Sequence, residues 1–132
     1  MKRLGDFLRD ETGASAAEFA MVVPVVLILI FGAIASGVMA YTWMKLQHAI
    51  EDTARCYSAQ RTDCAQDATE FASKYPGLIL DGLVFDKPVY SADAECTGYK
   101  ARAGGTFNFL MGQGVLSTDI YAQACYPGFD DS

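Results

Sequence analysis

The sequence predicts an α+β fold, in which a long N-terminal transmembrane helix extends into a small disulfide-stapled domain with a short second helix and an antiparallel β-meander. Three observations lead to this prediction. A run of 26 residues from Phe19 to Met44 contains no charged side chain. The pattern changes from helical spacing before residue 60 to strand-like alternation after Leu83. Four cysteines lie in the part of the chain that follows the apolar run.

The apolar run is long enough to cross a membrane. As a helix, 26 residues span about 39 Å, which exceeds the roughly 30 Å hydrocarbon core of a bilayer and permits some tilt. A secretory signal peptide has a shorter apolar region of about 7 to 15 residues, so length argues against that reading. Tyr41, Trp43 and Lys45 stand where amphipathic side chains form an interfacial belt.

A single glutamate stands at the start of the apolar run, five positions after a glycine. Gly13, Ala14, Glu18 and Phe19 are followed by Pro24 within the span. On insertion scales, an ionisable side chain costs about 2.5–3.5 kcal/mol when it lies at the centre of a membrane helix. Because such residues are costly in a membrane segment, Glu18 is a functional-site candidate. The alternative is a glutamate that merely snorkels to the inner interface. Pro24 removes one backbone hydrogen bond and is expected to kink or loosen the helix.

These residues carry a resemblance to a known family. The segment TGASAAEFAMVVPVVL, residues 12–27, resembles the TadE-like pseudopilins of the tight-adherence (Tad/Flp) pilus, including their EFA-x-x-x-P pattern. Two later stretches are also similar to that family, Ala54-Arg55-Cys56 and Ala124-Cys125-Tyr126-Pro127. TadG-like proteins share the N-terminus but are normally longer, so the length of this chain favours TadE. The leader of this chain is neutral, whereas prepilin leaders are usually net basic.

The resemblance implies a processing event and an assembly role. A prepilin peptidase would cut after Gly13 and leave Ala14 as the new N-terminus. Glu18 would then lie one helical turn from a terminal amine, and the glutamate of an incoming subunit would pair with the amine of its neighbour. Opposite charges attract strongly in a low dielectric. Gly13 and Ala14 are thus expected as the processing site, and Glu18, Phe19 and Pro24 as subunit-assembly residues.

Charge and cysteine spacing exclude some function classes and orient the chain. From Lys45 onward there are twelve acidic and seven basic residues, so a basic nucleic-acid footprint is missing. With one histidine and no C-x-x-C pair, a zinc site is improbable, and two disulfides among Cys56, Cys64, Cys96 and Cys125 are favoured. Three basic residues lie near each end of the span, so the positive-inside rule does not orient the chain. Disulfides persist outside the cytoplasm, so the domain is expected outside and the N-terminus inside.

The helical pattern continues beyond the membrane run and then breaks. Leu46, Ala49, Ile50, Thr53 and Ala54 form one apolar stripe. Eight residues of continuous helix would separate Cys56 from Cys64 by about 12 Å, too far for a disulfide, so the helix must turn between them if they bond. Asp63 and Gln66 predict a capping box that opens a second helix through Tyr75, which Pro76-Gly77 ends.

The C-terminal third alternates as strands do. Leu83–Tyr90 predicts an edge strand because Pro88 interrupts it. Apolar residues fall on odd positions between Thr97 and Phe109 and on even positions between Thr118 and Tyr126. If Cys96 faces Cys125, then Ala101 faces Ile120, Tyr99 faces Ala122 and Arg102 faces Asp119. This register favours 96–125 and 56–64 among the three possible connectivities.

These observations predict a structural protein rather than an enzyme. No phosphate-binding loop, catalytic triad or metal constellation is recognisable, and no cofactor is expected. Gly104-Gly105 and Gly112-Gln113-Gly114 are interpreted as a bulge and a turn. The expected organisation is a leader at 1–13, a transmembrane helix at 14–44 and an extracytoplasmic α+β domain at 45–132.

The expected function is that of a minor pilin or pseudopilin in Tad pilus assembly, adherence and biofilm formation. Its expected partners are the membrane, a prepilin peptidase, the major Flp-type pilin and other minor pilins, and the inner-membrane assembly platform. The expected location is the bacterial inner membrane with the domain in the periplasm, and incorporation into the extracellular pilus is a further expectation. The alternative is an uncleaved single-pass membrane protein whose disulfide-bonded domain binds a ligand or partner.

Overall fold

The computed structural model describes residues 11–109 and 116–128, and it has the predicted α+β fold. Helix α1 spans Glu11–Ser58 and helix α2 spans Ala68–Lys74. Strands β1 (Asp81–Asp93), β2 (Cys96–Phe109) and β3 (Leu116–Pro127) follow. The described residues fall into two compact units that divide after Gly37. The predicted turn at Gly112-Gln113-Gly114 and most of the predicted leader lie outside the described residues.

Helix α1 continues well beyond the apolar run, as the sequence predicts. The residues of the predicted stripe are buried, with Leu46, Ile50 and Ala54 fully inaccessible to solvent. The helix ends at Ser58, and Gln60 then adopts a positive φ of 51°. Because the chain turns here, Cys64 can return to Cys56, as the sequence requires for that disulfide.

Helix α2 is shorter than predicted. It begins at Ala68 rather than after Asp63, because Asp67 is the N-cap: its Oδ1 accepts hydrogen bonds from the backbone N–H groups of Thr69 and Glu70, both at 2.8 Å. Glu70 also reaches back, but it accepts from the N–H of Gln66, one residue before the N-cap, so the contact is similar to a capping box without being one. Asp63 is instead held by Arg61 at 2.7 Å, and this guanidinium lowers the pKa of the Asp63 carboxyl. The predicted stop at Pro76-Gly77 is confirmed.

Replacing this cap should loosen α2 selectively. We expect Asp67→Ala to destabilise the helix by about 1 kcal/mol, because two N–H groups lose their acceptor. That free energy corresponds to roughly fivefold faster amide exchange in α2 if the helix opens locally. Hydrogen exchange by mass spectrometry of the full chain in detergent measures it. Asp67→Asn is the matched control, since asparagine caps equally well; equal acceleration in both variants would contradict the capping role.

The strands form an antiparallel sheet of order β1-β2-β3 within the described residues. β1 is longer than the predicted Leu83–Tyr90 and lies at an edge, as predicted. Its pairing with β2 shifts twice. One shift lies between Asp86 and Val89, where Pro88 stands, and the other lies between Asp81 and Val84, opposite Gly105. The predicted bulge near Gly104-Gly105 is therefore present, and its extra residue is on β1.

The predicted register between β2 and β3 is wrong by four residues. Tyr99 pairs with Tyr126 rather than Ala122, and Ala101 pairs with Ala124 rather than Ile120. An even shift keeps every side chain on its predicted face, so Ala101, Ala103, Ile120 and Ala122 are all buried.

The predicted pairing of Arg102 with Asp119 is also wrong. Arg102 lies opposite Gln123, and Asp119 accepts a hydrogen bond of 2.9 Å from the Thr106 hydroxyl.

The disulfide does not fix this register because its two cysteines are not ladder partners. Cys96 pairs with Asp93 across the β1–β2 turn, whereas Cys125 lies opposite Lys100. The Cα atoms of Cys96 and Cys125 are nevertheless only 5.8 Å apart. Between Cys96 and Lys100, Gly98 has a φ of 153° and approaches the Tyr126 carbonyl so closely that a Cβ would overlap it. Glycine thus lets the start of β2 cross close to β3.

The core of the domain lies between α1, α2 and one face of the sheet. Phe71 of α2 is fully buried and stacks on Phe85 of β1, with ring centroids 4.9 Å apart. The rest of the buried cluster comes from α1, β2 and β3 and from Ala65 before α2: Leu46, Ala49, Ile50, Ala54, Ala65, Ala101, Ala103, Phe107, Ile120 and Ala122. Helix α1 therefore supplies one wall of the domain core as well as the apolar run.

Candidate assembly segment and membrane interface

The predicted processing and assembly residues all lie in the first part of α1. Gly13 and Ala14 are within the first turn of the helix. Glu18 and Phe19 follow, and both are exposed; Phe19 is 70 % exposed. Pro24 lies inside the helix. Glu18 is four residues beyond Ala14, which places it about 6 Å further along the helix axis.

This part of α1 presents apolar side chains outward. Among the described residues, one helix is long and apolar enough to cross a membrane, by length and composition only, and only 6 % of its most apolar window is buried. The exposed side chains include Met21, Ile28, Leu29, Phe31 and Ile34. Such a surface is costly in water and is satisfied by lipid or by another apolar partner. The helix therefore suggests membrane anchoring.

Aromatic and basic side chains mark the end of the apolar run. Tyr41 is 52 % exposed and Trp43 is 49 % exposed. Lys45 folds back so that its Nζ lies 5.1 Å from the centre of the Tyr41 ring, a cation–π contact. Thr42, which lies between Tyr41 and Trp43 in the sequence, is fully buried and donates to the Val38 carbonyl. The predicted belt residues are thus accessible at the point where the helix joins the domain core.

Both disulfides form with the predicted connectivity. Cys56 bonds to Cys64, with Cα atoms 5.7 Å apart, and Cys96 bonds to Cys125. Asp63 lies close to the first pair, but the two sulfur atoms are already bonded to each other. Cys56–Cys64 ties the end of α1 to the loop before α2. Cys96–Cys125 ties the start of β2 to the end of β3.

Several polar contacts that hold the domain are absent from the sequence-based prediction. The Tyr75 phenol donates a 2.5 Å hydrogen bond to Asp52 of α1, and burial together with this carboxylate raises the pKa of Tyr75 to about 12. Ser58 donates to the Pro127 carbonyl at 2.6 Å, and Tyr57 donates to the Ala65 carbonyl at 2.8 Å. These bonds join α1 to the start and end of α2 and to the end of β3. No spacing rule in the sequence points to such pairs.

A polar groove runs between α1 and the outer edge of β3. Its volume is about 690 Å³, and its lining includes Gln47, Glu51, Arg55 and Tyr126. Arg55 lies over the Tyr126 ring at 5.3 Å, and Gln47 donates to the Gln123 carbonyl at 3.4 Å. The Ala54-Arg55-Cys56 stretch and the Ala124–Pro127 stretch, singled out separately in the sequence, therefore meet in the fold.

Together these features define a class of protein: one exposed apolar N-terminal helix joined to a small disulfide-bonded α+β domain. The family model described as TadE-like protein matches residues 13–55. The match begins at the predicted cleavage glycine, ends within the last turn of α1, and confirms the resemblance to the TadE-like family over that segment. It supports a minor pilin role associated with the Tad pilus. Neither the curated proteins nor the solved structures searched contain a match.

Proposed function

We propose that this chain is a minor pilin or pseudopilin of a Tad-type pilus, made as a precursor and cut between Gly13 and Ala14. The observation that carries the proposal is the family match that starts at Gly13 and covers an apolar run of which only 6 % of the most apolar window is buried. In this proposal residues 1–13 are the leader, residues 14–44 cross the inner membrane, and residues 45–132 form a periplasmic domain.

The proposed assembly contact joins Glu18 of one subunit to the Ala14 amine of its neighbour. The exposure of Glu18 leaves its carboxylate accessible to a second helix. Phe19, also exposed, would pack beside it, and Pro24 would loosen the helix one turn further on. The proposed partners are the prepilin peptidase, the major Flp-type pilin, other minor pilins and the assembly platform, and the proposed outcome is adherence and biofilm formation.

The disulfides support the proposed orientation. Cys56–Cys64 and Cys96–Cys125 require an oxidising compartment, and both lie on the C-terminal side of the apolar run. A domain outside the cytoplasm with its N-terminus inside presents Gly13 at the inner face of the membrane. That is the position at which a membrane-embedded peptidase of this class would act.

Processing is the first test of this function. We expect protein recovered from membranes of cells that carry the Tad system to have a mass corresponding to residues 14–132. Gly13→Ala should leave the precursor uncut, because the peptidase would require glycine before the scissile bond. Intact-mass spectrometry without reduction measures both cleavage and disulfide content.

The matched control for this test is Gly5→Ala, which changes another leader glycine away from the bond. Cutting of Gly5→Ala together with retention of the Gly13→Ala precursor is the expected pattern. A chain that starts at Met1 in the wild type would support the alternative, an uncleaved single-pass protein with a ligand-binding domain. A chain that starts at Gly37 or Tyr41 would indicate signal-peptidase cutting and would also contradict the proposal.

A further inference from the structure

The turn that follows α2 is an apolar loop beside the end of the membrane-length run. The interface loop, Pro76-Gly77-Leu78-Ile79, is neither helix nor strand, and Ile79 is 52 % exposed. It is close to Lys45, because a Cβ atom added at Gly77 would lie 3.2 Å from Lys45 Nζ. Lys45 is the first charged residue after the apolar run. The loop and the end of the run therefore lie at the same level of the domain.

The cavity beside the interface loop exposes mainly apolar surface. A shallow cavity of about 520 Å³ lies between the loop and α1, and its lining includes Lys45, Ala49, Tyr75, Pro76 and Leu78. His48, Asp52 and Lys74 also line it. Asp52 accepts the Tyr75 hydroxyl, and the Lys74 ammonium is directed to the Asp63 carbonyl at 2.8 Å.

Charge returns just beyond the loop. Asp81 follows Leu80 and accepts a hydrogen bond of 2.7 Å from Asn108. Leu78 and Leu80 are half-buried and pack against the core, whereas Ile79 points away from it. Only the tip of the loop is therefore free to enter an apolar medium. The charge of Asp81 limits how deeply the tip can insert. A short apolar tip next to Lys45, which itself contacts the exposed Tyr41, is suited to the headgroup boundary of a bilayer.

We propose that the interface loop inserts its tip, chiefly Ile79, into the outer leaflet, so that the domain contacts the lipid surface at a second point besides α1. This inference rests on the membrane span proposed above. The occupant is the boundary between headgroups and acyl chains, because the loop lies beside Lys45, whose ammonium group lies over the ring of Tyr41 at the end of the apolar run. The second contact restrains rotation of the domain about the axis of α1 while the subunit is stored in the membrane.

Tryptophan quenching in vesicles tests the loop directly. The chain has one tryptophan, Trp43, so Trp43→Phe provides a silent background in which Ile79→Trp reports on the tip. Val89→Trp is the matched control, because Val89 is an aliphatic residue 69 % exposed that lies about 25 Å along β1 from Asp81. The full chain is reconstituted in phosphatidylcholine and phosphatidylglycerol vesicles, with or without brominated acyl chains.

The proposal predicts that brominated lipid quenches Ile79→Trp strongly and that acrylamide in the water quenches it several-fold less than Val89→Trp. Equal acrylamide quenching of the two variants, with no effect of brominated lipid on either, would overturn it. A third outcome is that Ile79→Trp is protected from acrylamide but is not quenched by brominated lipid, and that this protection disappears when the protein is diluted in lipid. That outcome would assign the loop to contact with a neighbouring protein and would also overturn the proposal.

The wild-type chain separates this outcome from failure of the span. Quenching of native Trp43 by brominated lipid, without quenching of Ile79→Trp, would leave the span intact and refute only the loop contact. Absence of Trp43 quenching would refute the span, and the loop proposal with it. Non-reduced mass spectrometry of both tryptophan variants confirms that the disulfides, and hence the fold around the loop, are retained.

Discussion

Replacing Glu18 by lysine is expected to abolish incorporation of the mature subunit, while membrane insertion and cleavage after Gly13 continue. Lysine would set a second positive charge against the Ala14 amine of the neighbouring subunit in a low dielectric. Glu18→Gln should weaken incorporation less severely, because it removes the negative charge with almost no change in size. Breaking a desolvated ion pair by removing one partner costs about 3–5 kcal/mol, so a large loss is expected even for glutamine.

The measurement is cross-linking of mature subunits to the major pilin, compared at equal membrane abundance. Glu11→Gln is the matched control: Glu11 lies on the same helix, but the proposed cleavage removes it, so its replacement should not change cross-linking. If wild type and both Glu18 variants cross-link equally, Glu18 only snorkels at the inner interface and the assembly role must be abandoned.

Removing the Cys96–Cys125 disulfide is expected to destabilise the domain more than removing Cys56–Cys64. The two bonds join residues 29 and 8 positions apart. On the chain-entropy model, loops of these sizes correspond to about 3.5 and about 2.5 kcal/mol. Alanine is the appropriate replacement, because Cys96 is 4 % exposed and serine would bury a hydroxyl.

Denaturant unfolding of the two double-alanine variants, followed by near-ultraviolet circular dichroism of the full chain in detergent, gives both values. The midpoint should fall, and the slope should rise slightly because the chain without the cross-link unfolds to a less compact ensemble. Peptide mapping without reduction checks the wild-type pairing. Recovery of Cys56 linked to Cys96, or a smaller loss from the 96–125 variant than from the 56–64 variant, would contradict this account of the domain.

The parts of the fold that follow from side-chain periodicity were predictable. The long helix, the stripe from Leu46 to Ala54 and the buried faces of β2 and β3 each depend on which residues recur on one side of an element. The disulfide pairing was predicted correctly although the register used to support 96–125 was wrong. Cys56 and Cys64 flank the end of a helix, and Cys96 and Cys125 lie on neighbouring strands. These predictions needed only local spacing and the requirement that apolar faces be buried together.

The details that failed depend on competition between similar local signals. Asp63 and Asp67 each stand three residues before a side chain suited to a capping box. In the structure the Asp63 carboxylate pairs with Arg61, and Asp67 caps α2. The strand register failed because a shift of four residues preserves the face of every side chain. The sequence pattern therefore cannot choose between the two registers. In the observed register Gly98 closely approaches the Tyr126 carbonyl, a contact that becomes visible only in three dimensions.

The residues proposed to carry function divide in the same way. Gly13, Glu18 and the apolar run are consecutive signals along one helix, so the sequence alone was enough to single them out. The interface loop is different, because Gly77 and Lys45 are 32 positions apart and come close only in the folded domain. Long-range contacts such as Tyr75 with Asp52 bring them to one level, and no periodicity in either segment indicates that contact.

The order of the two disulfides along the chain has a consequence for biogenesis. Cys56 pairs with the next cysteine, and Cys96 pairs with the one after it, so the two closed loops neither cross nor enclose each other. With the domain outside the cytoplasm, as proposed above, synthesis and export from the N-terminus would let Cys56 meet Cys64 before any other thiol is available. The second pair closes only when β3 has emerged. A chain that oxidises as it is exported would thus reach its native connectivity without reshuffling.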